Sequence, residues 1–146
     1  MRVQDIMSRE VEAVAPSTEA SAAWERMKRK GIHHLVVLED GRLVGVISDR
    51  DLGSSRARTF RDGKQVADLM TEHVIAVTPE STVRQAANRL RGHSIGCLPV
   101  LKEGKLKGIL TVSDLLEVLG RGVERPIEHS TPWTLKDRGP RKRIRA

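Results

Sequence analysis

Two stretches of this sequence place a hydroxyl and a carboxylate three residues apart behind a glycine: Gly45-Val46-Ile47-Ser48-Asp49-Arg50-Asp51 and Gly108-Ile109-Leu110-Thr111-Val112-Ser113-Asp114. In each, the strand-like run gives way to a helical pattern at the hydroxyl, so Ser48 and Thr111 stand where a strand ends and a helix begins. Free backbone N–H groups at such a junction favour an anionic group. A carboxylate one turn further on can accept hydrogen bonds from two vicinal hydroxyls, as on ribose. The glycine before each hydroxyl is expected to let a bound group approach closely. The same spacing also matches a capping box, in which the two side chains satisfy the helix's own N–H groups. The residues alone leave both readings open.

Other chemistries lack their parts. His33 and His34 are adjacent, and neighbouring residues on a strand point to opposite faces, so one metal would not readily receive both. There is no His-Glu-x-x-His segment, and the single cysteine, Cys97, has no second thiol with which to share a zinc ion or form an internal disulfide. Cys97 lies in an apolar run, where a small buried thiol is expected. Gly45 and Gly108 are not followed by the lysine and hydroxyl of a phosphate-binding loop. Ser48 has no identifiable base and orienting acid around it. No catalytic residue and no metal site is expected.

The elements that must hold these residues occur twice. Sliding the sequence by 63 residues aligns Val3 to Leu52 with Val66 to Leu115 without a gap. About a third of the aligned positions are identical, far above what ordinary composition produces by chance. VQDIM matches VADLM, VEAVAP matches VIAVTP, and IHHLVVLEDGRLVGVISDRDL matches IGCLPVLKEGKLKGILTVSDL. Each copy opens with a short β run, Val11 to Val14 or Val74 to Val77, ending near a proline. A helical stripe follows: Ala20, Ala23, Trp24 and Met27 in one copy, and Val83, Ala86, Ala87 and Leu90 in the other. Trp24 is read as core.

Two strands come next, Leu35 to Glu39 with Arg42 to Ile47, and Leu98 to Leu101 with Lys105 to Leu110. Asp40-Gly41 and Glu103-Gly104 predict tight hairpins between them. Pro99 cannot donate a ladder hydrogen bond, so its strand should lie at an edge or begin irregularly. A second helix is expected to begin near Ser48 and Thr111. The fold class is therefore α/β, with two β-α-β-β-α repeats packed sheet against sheet about a pseudo-twofold axis, because one unit alone has too small a core. The expected division is 1–62 for the first repeat, 63–120 for the second and 121–146 for a basic C-terminal extension.

Taken together in order, the DIMS/DLMT openings, the AVAP/AVTP elements and the two strand-pair segments resemble a tandem pair of CBS domains, or Bateman module, over roughly residues 1 to 120. The resemblance implies a non-catalytic regulatory module that binds adenosine nucleotides (AMP, ADP or ATP) between paired repeats, requires no cofactor and acts as a homodimer on an unidentified partner. It assigns phosphate and ribose contacts to Ser48 with Asp51 and to Thr111 with Asp114. The opening element of the opposite repeat would complete each cleft, placing Thr71 with Asp51 and Ser8 with Asp114. Residues near Ile32 to Leu35 and Ile95 to Leu98 would flank adenine. The copies differ where His33-His34 aligns with Gly96-Cys97 and Arg50 aligns with Ser113, so the two sites should be unequal. His34 and Arg50 are candidate phosphate contacts. The alternative is a dimerisation or docking protein whose nucleotide clefts stay empty.

The formal net charge of +7 sits mostly beyond Gly120, where Arg138, Arg141, Lys142, Arg143 and Arg145 cluster. Such a tail is solvated and partly flexible, or a salt-sensitive contact for nucleic acid or another polyanion, or a docking segment for a partner or a membrane surface. With two Trp and one Phe in the chain, a stacking surface for single strands is not expected. No apolar run is long enough to span a membrane, and a cytoplasmic location is expected.

Overall fold

The computed structural model describes residues 1–54 and 58–121. The basic extension, with its arginine cluster, lies outside the described residues. In the first repeat, helix α1 (Val3–Ile6) and strand β1 (Ala13–Val14) lead into helix α2 (Ala20–Lys30), then strands β2 (His34–Glu39) and β3 (Arg42–Ser48). The second repeat runs through α3 (Val66–Leu69), α4 (Val83–His93), β4 (Cys97–Lys102), β5 (Lys105–Thr111) and α5 (Val112–Gly120).

Both hairpins form as the turn residues dictate. Asp40 and Gly41 adopt φ of 51° and 77°, and Glu103 and Gly104 adopt 51° and 76°. Positive φ at both central positions gives the twist that matches right-handed strands. The antiparallel registers are equivalent, Val36 opposite Val46 and Pro99 opposite Ile109, and each pair carries an irregularity at the same place, after Val37 and after Val100.

The repeats diverge at two points, and a single residue type explains each. In the first, the Val36 N–H donates to the Glu12 carbonyl at 3.1 Å and β1 pairs in parallel with β2. Pro99 occupies the position of Val36 and has no N–H to offer, so the Val11–Val14 run yields a two-residue strand while Val74–Val77 is reduced to one bridge, Val77 with Val100. The proline does sit beside an irregular edge, though inside β4 rather than at its start. In the second divergence, the helix expected after Ser48 does not form. Residues 49–54 make turns, because Gly53 and Ser54 adopt φ of 89° and 50° and the Phe60 ring lies where a Gly53 side chain would start, 2.6 Å from an added Cβ. Leu116 and Glu117 stand at the equivalent places, and there α5 continues.

The cores are built crosswise. Val66 of the second repeat is buried among Ala23, Met27, Leu35 and Ile47 of the first, and Val3 of the first is buried among Ala86, Leu90, Leu98 and Leu110 of the second. The backbone locks this exchange: the Val3 N–H donates to the Ser81 carbonyl at 2.9 Å and the Val66 N–H to the Thr18 carbonyl at 2.8 Å. A third cluster, Val36, Cys97 and Ile109 with Ala13, Val46 and Leu106 around it, fills the space between the two sheets. The two small sheets thus pack together about a pseudo-twofold axis, each repeat completing the other. Trp24 is half-buried against the first core rather than enclosed by it, with the Arg61 guanidinium over its ring at 4.3 Å. Arg61 is itself buried and donates to the carbonyls of Leu52 and Ser54.

Candidate functional site

Crosswise packing brings each opening segment onto the last strand of the other repeat. Ser8 and Ile109 exchange both backbone hydrogen bonds at 2.9 Å, and Thr71 and Val46 do the same at 2.9 and 3.1 Å. Gly45 and Gly108 make this possible. A Cβ at Gly45 would lie 2.9 Å from the Thr71 carbonyl oxygen and 2.8 Å from Met70 Sδ, and one at Gly108 would lie 2.6 Å from the Ser8 carbonyl oxygen. The expected close approach is therefore real, but it admits the protein's own chain rather than a ligand.

Two clefts open beside these junctions. One, of about 330 Å³, is lined by Ser8, Thr111, Ser113 and Asp114 together with Ile32 and His34. The other, of about 460 Å³, is lined by Thr71, Ser48, Arg50 and Asp51 together with Ile95 and His34. Both volumes suit a small organic ligand. The polar candidates named from the sequence thus lie on one of two related clefts, with Thr71 beside Asp51 and Ser8 beside Asp114; of the stretches expected to flank adenine, Ile32 and Ile95 line the clefts while Leu35 and Leu98 are buried in the two cores. His34 belongs to both. Its ring lies over Gly96, where an added Cβ would stand 2.7 Å from Nε2, so it forms a wall that the two cavities share.

Both capping boxes are also present. The Asp51 N–H donates to Ser48 Oγ at 3.1 Å and the Ser48 N–H donates to Asp51 Oδ2 at 2.9 Å. In the second repeat the Thr111 N–H reaches Asp114 Oδ2 at 2.8 Å, and the Asp114 N–H reaches Thr111 Oγ1 at 3.3 Å. The box recruits Oδ2 of each aspartate, and a carboxylate has about four acceptor positions on its two oxygens. Capping and ligand binding are therefore compatible: the cap fixes the rotamer that a ligand would meet.

Sequence reasoning missed several lining residues. Glu10 and Glu12 border the Asp114 cleft, and His73, Ile75 and Asp49 border the other. The 63-residue alignment pairs Glu10 with His73 and Glu12 with Ile75, so the signal was present, in loops that carry no periodic pattern. Both oxygens of Glu12 are engaged, by Arg26 at 2.6 Å and Lys30 at 2.9 Å, and these bonds, that of Lys30 foremost, hold its carboxyl below the usual range. His33 Nδ1 meets Asp49 Oδ2 at 3.0 Å. Cys97 is buried as expected, and burial together with the nearby Asp51 charge pushes its thiol up to about 12. It is a packing residue at ordinary pH rather than a thiolate nucleophile.

Burial also lowers the His34 pKa from its usual 6.5, outweighing the attraction of Asp49 and Asp51, while His33 lowers it further. The sign follows. With the folded value below the unfolded one, the unfolded chain binds the extra proton first, so stability is full above pH 6.5 and is lost as pH falls toward the folded value. Thermal melts between about pH 7.5 and 5.5 are expected to show a decline that His34→Gln reduces. Equal declines in both proteins would remove His34 as its source.

A protein-family model described as CBS domain matches residues 3–54 and 66–121. A CBS domain-containing protein of Dictyostelium discoideum is 32% identical over 136 residues, which cover 84% of this chain and 93% of that protein. Homoserine O-acetyltransferase of Methanosphaerula palustris is 30% identical over 122 residues, 82% of this chain but 24% of the enzyme. Among solved structures, CBSX2 in complex with AMP aligns at 32% identity with a TM-score of 0.73, over 85% of this chain and 99% of that one.

Proposed function

The chain belongs to the CBS domain family, and from that premise we propose that it is a cytoplasmic regulatory module that binds adenosine nucleotides in its two clefts and passes their occupancy to a partner protein. CBS-domain pairs are non-catalytic regulatory modules, and the match to an AMP-bound structure supports a nucleotide as the signal. One observation carries the reading furthest: each cleft joins a strand-end hydroxyl, an aspartate one turn on, and a residue from the opposite repeat.

In this reading Ser48 and Thr111 contact phosphate or the 5′ region, Asp51 and Asp114 hold the ribose hydroxyls, and Thr71 and Ser8 close the sites. Arg50 and Ser113 occupy equivalent positions on the rims, and His34 forms the common wall. AMP, ADP and ATP share the adenosine that these residues would grip. On this reading the chain divides into a first repeat at 1–62, a second at 63–120 and a basic extension at 121–146. A homodimer is supported by α5, whose Val112, Leu116 and Leu119 are exposed at 41%, 61% and 60%. Apolar side chains at one- and two-turn spacing on one helix are suited to a second copy. Among the described residues no helix is long and apolar enough to cross a membrane.

A nucleotide that favours one arrangement of the repeats shifts the population toward it, which is all that a signal requires. Asn at positions 51 and 114 retains an oxygen for the cap but loses the charge that strengthens bonds to ribose hydroxyls. Isothermal titration of AMP and ATP into Asp51→Asn/Asp114→Asn is expected to show affinity about ten- to a hundredfold below that of the unmodified protein. Unchanged affinity, with melting also unchanged, overturns the assignment. Absence of binding by the unmodified protein would favour a docking scaffold with empty clefts.

A further inference from the structure

The two clefts share a plan but not a charge. Where Glu10 stands on the rim of the Asp114 cleft, the repeat alignment puts His73 on the rim of the Asp51 cleft. Where Ser113 stands on the first, Arg50 stands on the second. Both exchanges run in the same direction, each making the Asp51 cleft more positive and the Asp114 cleft more negative. A third exchange runs the other way, since Asp49 lines the Asp51 cleft where Val112 lines the other, but the Arg50 charge beside it offsets that of Asp49 and leaves Glu10 as the difference. Glu12 is held between Arg26 and Lys30, and Asp49 meets His33. Among the described residues, no Lys or Arg lines the Asp114 cleft.

We propose that the clefts sort their ligands by charge, the Asp51 cleft taking a nucleoside phosphate and the Asp114 cleft a nucleoside with no phosphate. This rests on the reading that both clefts bind adenosine. Ribose recognition is common to the two sites, since each has the same hydroxyl and aspartate, so selectivity must come from what meets the 5′ substituent. In the Asp51 cleft a phosphate finds the Arg50 guanidinium, whose planar donors match its oxygens, and the His73 ring. In the Asp114 cleft the same phosphate meets the Glu10 carboxylate with only a serine hydroxyl in place of the arginine. Like charges brought together at a partly exposed rim repel, and salt weakens that repulsion. An uncharged 5′ group escapes the penalty. The protein would then report two concentrations at once, that of a phosphorylated nucleotide and that of a dephosphorylated nucleoside.

The test is calorimetric titration of the full chain with AMP and with adenosine at low salt, in the unmodified protein, Asp51→Asn, Asp114→Asn and the double variant Glu10→His/Ser113→Arg. The AMP isotherm is expected to lose its tight phase in Asp51→Asn and keep it in Asp114→Asn, while the adenosine isotherm shows the opposite pattern. The double variant, altered only at exposed positions, is expected to add a second AMP site, with affinity for AMP in the Asp114 cleft raised about tenfold. Binding of both ligands with the same ratio of affinities in either cleft, unmoved by the double variant, overturns the sorting and leaves the nucleotide reading standing. Failure of adenosine and AMP to bind the unmodified protein overturns both.

Discussion

Replacing Gly108 with alanine is expected to destabilise the chain by about 1–3 kcal/mol, the range for atoms forced into a filled space. The added Cβ would meet the Ser8 carbonyl oxygen at 2.6 Å and Met7 Sδ at 2.9 Å. The methionine can swing away. The carbonyl cannot move alone, because it accepts from the Ile109 N–H while the Ser8 N–H donates to the Ile109 carbonyl. Relief therefore requires the opening segment to peel from β5, which also removes Ser8 from its cleft. Urea midpoints measure the stability loss, and nucleoside titration is expected to show the Asp114 cleft weakened more than the Asp51 cleft. Gly92→Ala is the control: it lies inside α4 with nothing within 4 Å of an added Cβ, so it should raise stability by up to about 1 kcal/mol. Similar midpoints for both variants would mean that the opening segment is not held as described.

Leu98→Ala should cost more, about 2–5 kcal/mol. Leu98 is fully buried in β4 among Val3, Ala86, Leu90 and Leu110, and the residues on both sides of it belong to different repeats. The form of the transition matters as much as its midpoint. Val3 links this core to the first repeat and Val66 links the other core to the second, so damage to one should be felt by both. In a Trp133→Phe background, circular dichroism and Trp24 fluorescence are expected to melt together, since Trp24 reports on the first repeat and the substitution lies in the core of the second. Loss of helicity well before the Trp24 signal would show that the repeats unfold separately.

The sequence was informative wherever local chemistry decided the outcome. Asp40-Gly41 and Glu103-Gly104 specify their turns without help from the rest of the chain, and both turns form. The repeat itself was visible because identical roles recur at a fixed spacing. Ser48, Asp51, Thr111 and Asp114 could be placed at strand ends, where the structure has them. Long-range destinations were not legible in the residue pattern. The apolar spacing of Val3 and Ile6 says that one face is buried, but the exchange of Val3 and Val66 between repeats is set by the far ends of the chain. Gly45 and Gly108 likewise announce a close approach without naming what approaches. The helix expected after Ser48 was lost to Gly53 and Ser54, whose left-handed backbone is supported by Phe60 several residues on. Glu10 and His73 lie in irregular connections, where periodicity has nothing to say, and only their spatial neighbours make them part of a cleft.

The pairing of Ser8 with Ile109 imposes an order on the birth of the molecule. Ser8 leaves the ribosome before its partner strand, which follows about a hundred residues later. At about 5–20 residues per second, the opening segment waits some 5 to 20 s before β5 exists to receive it. During that interval Val3, Ile6 and Met7 have no core of their own, while Val66 and Leu69 can dock at once onto the first repeat, already made. Synthesis thus completes the first core early and leaves the second to be closed by a segment made long before it, so a nascent polypeptide stalled before residue 109 would carry the apolar stretch around Val3 and Ile6 loose for a chaperone or protease to find.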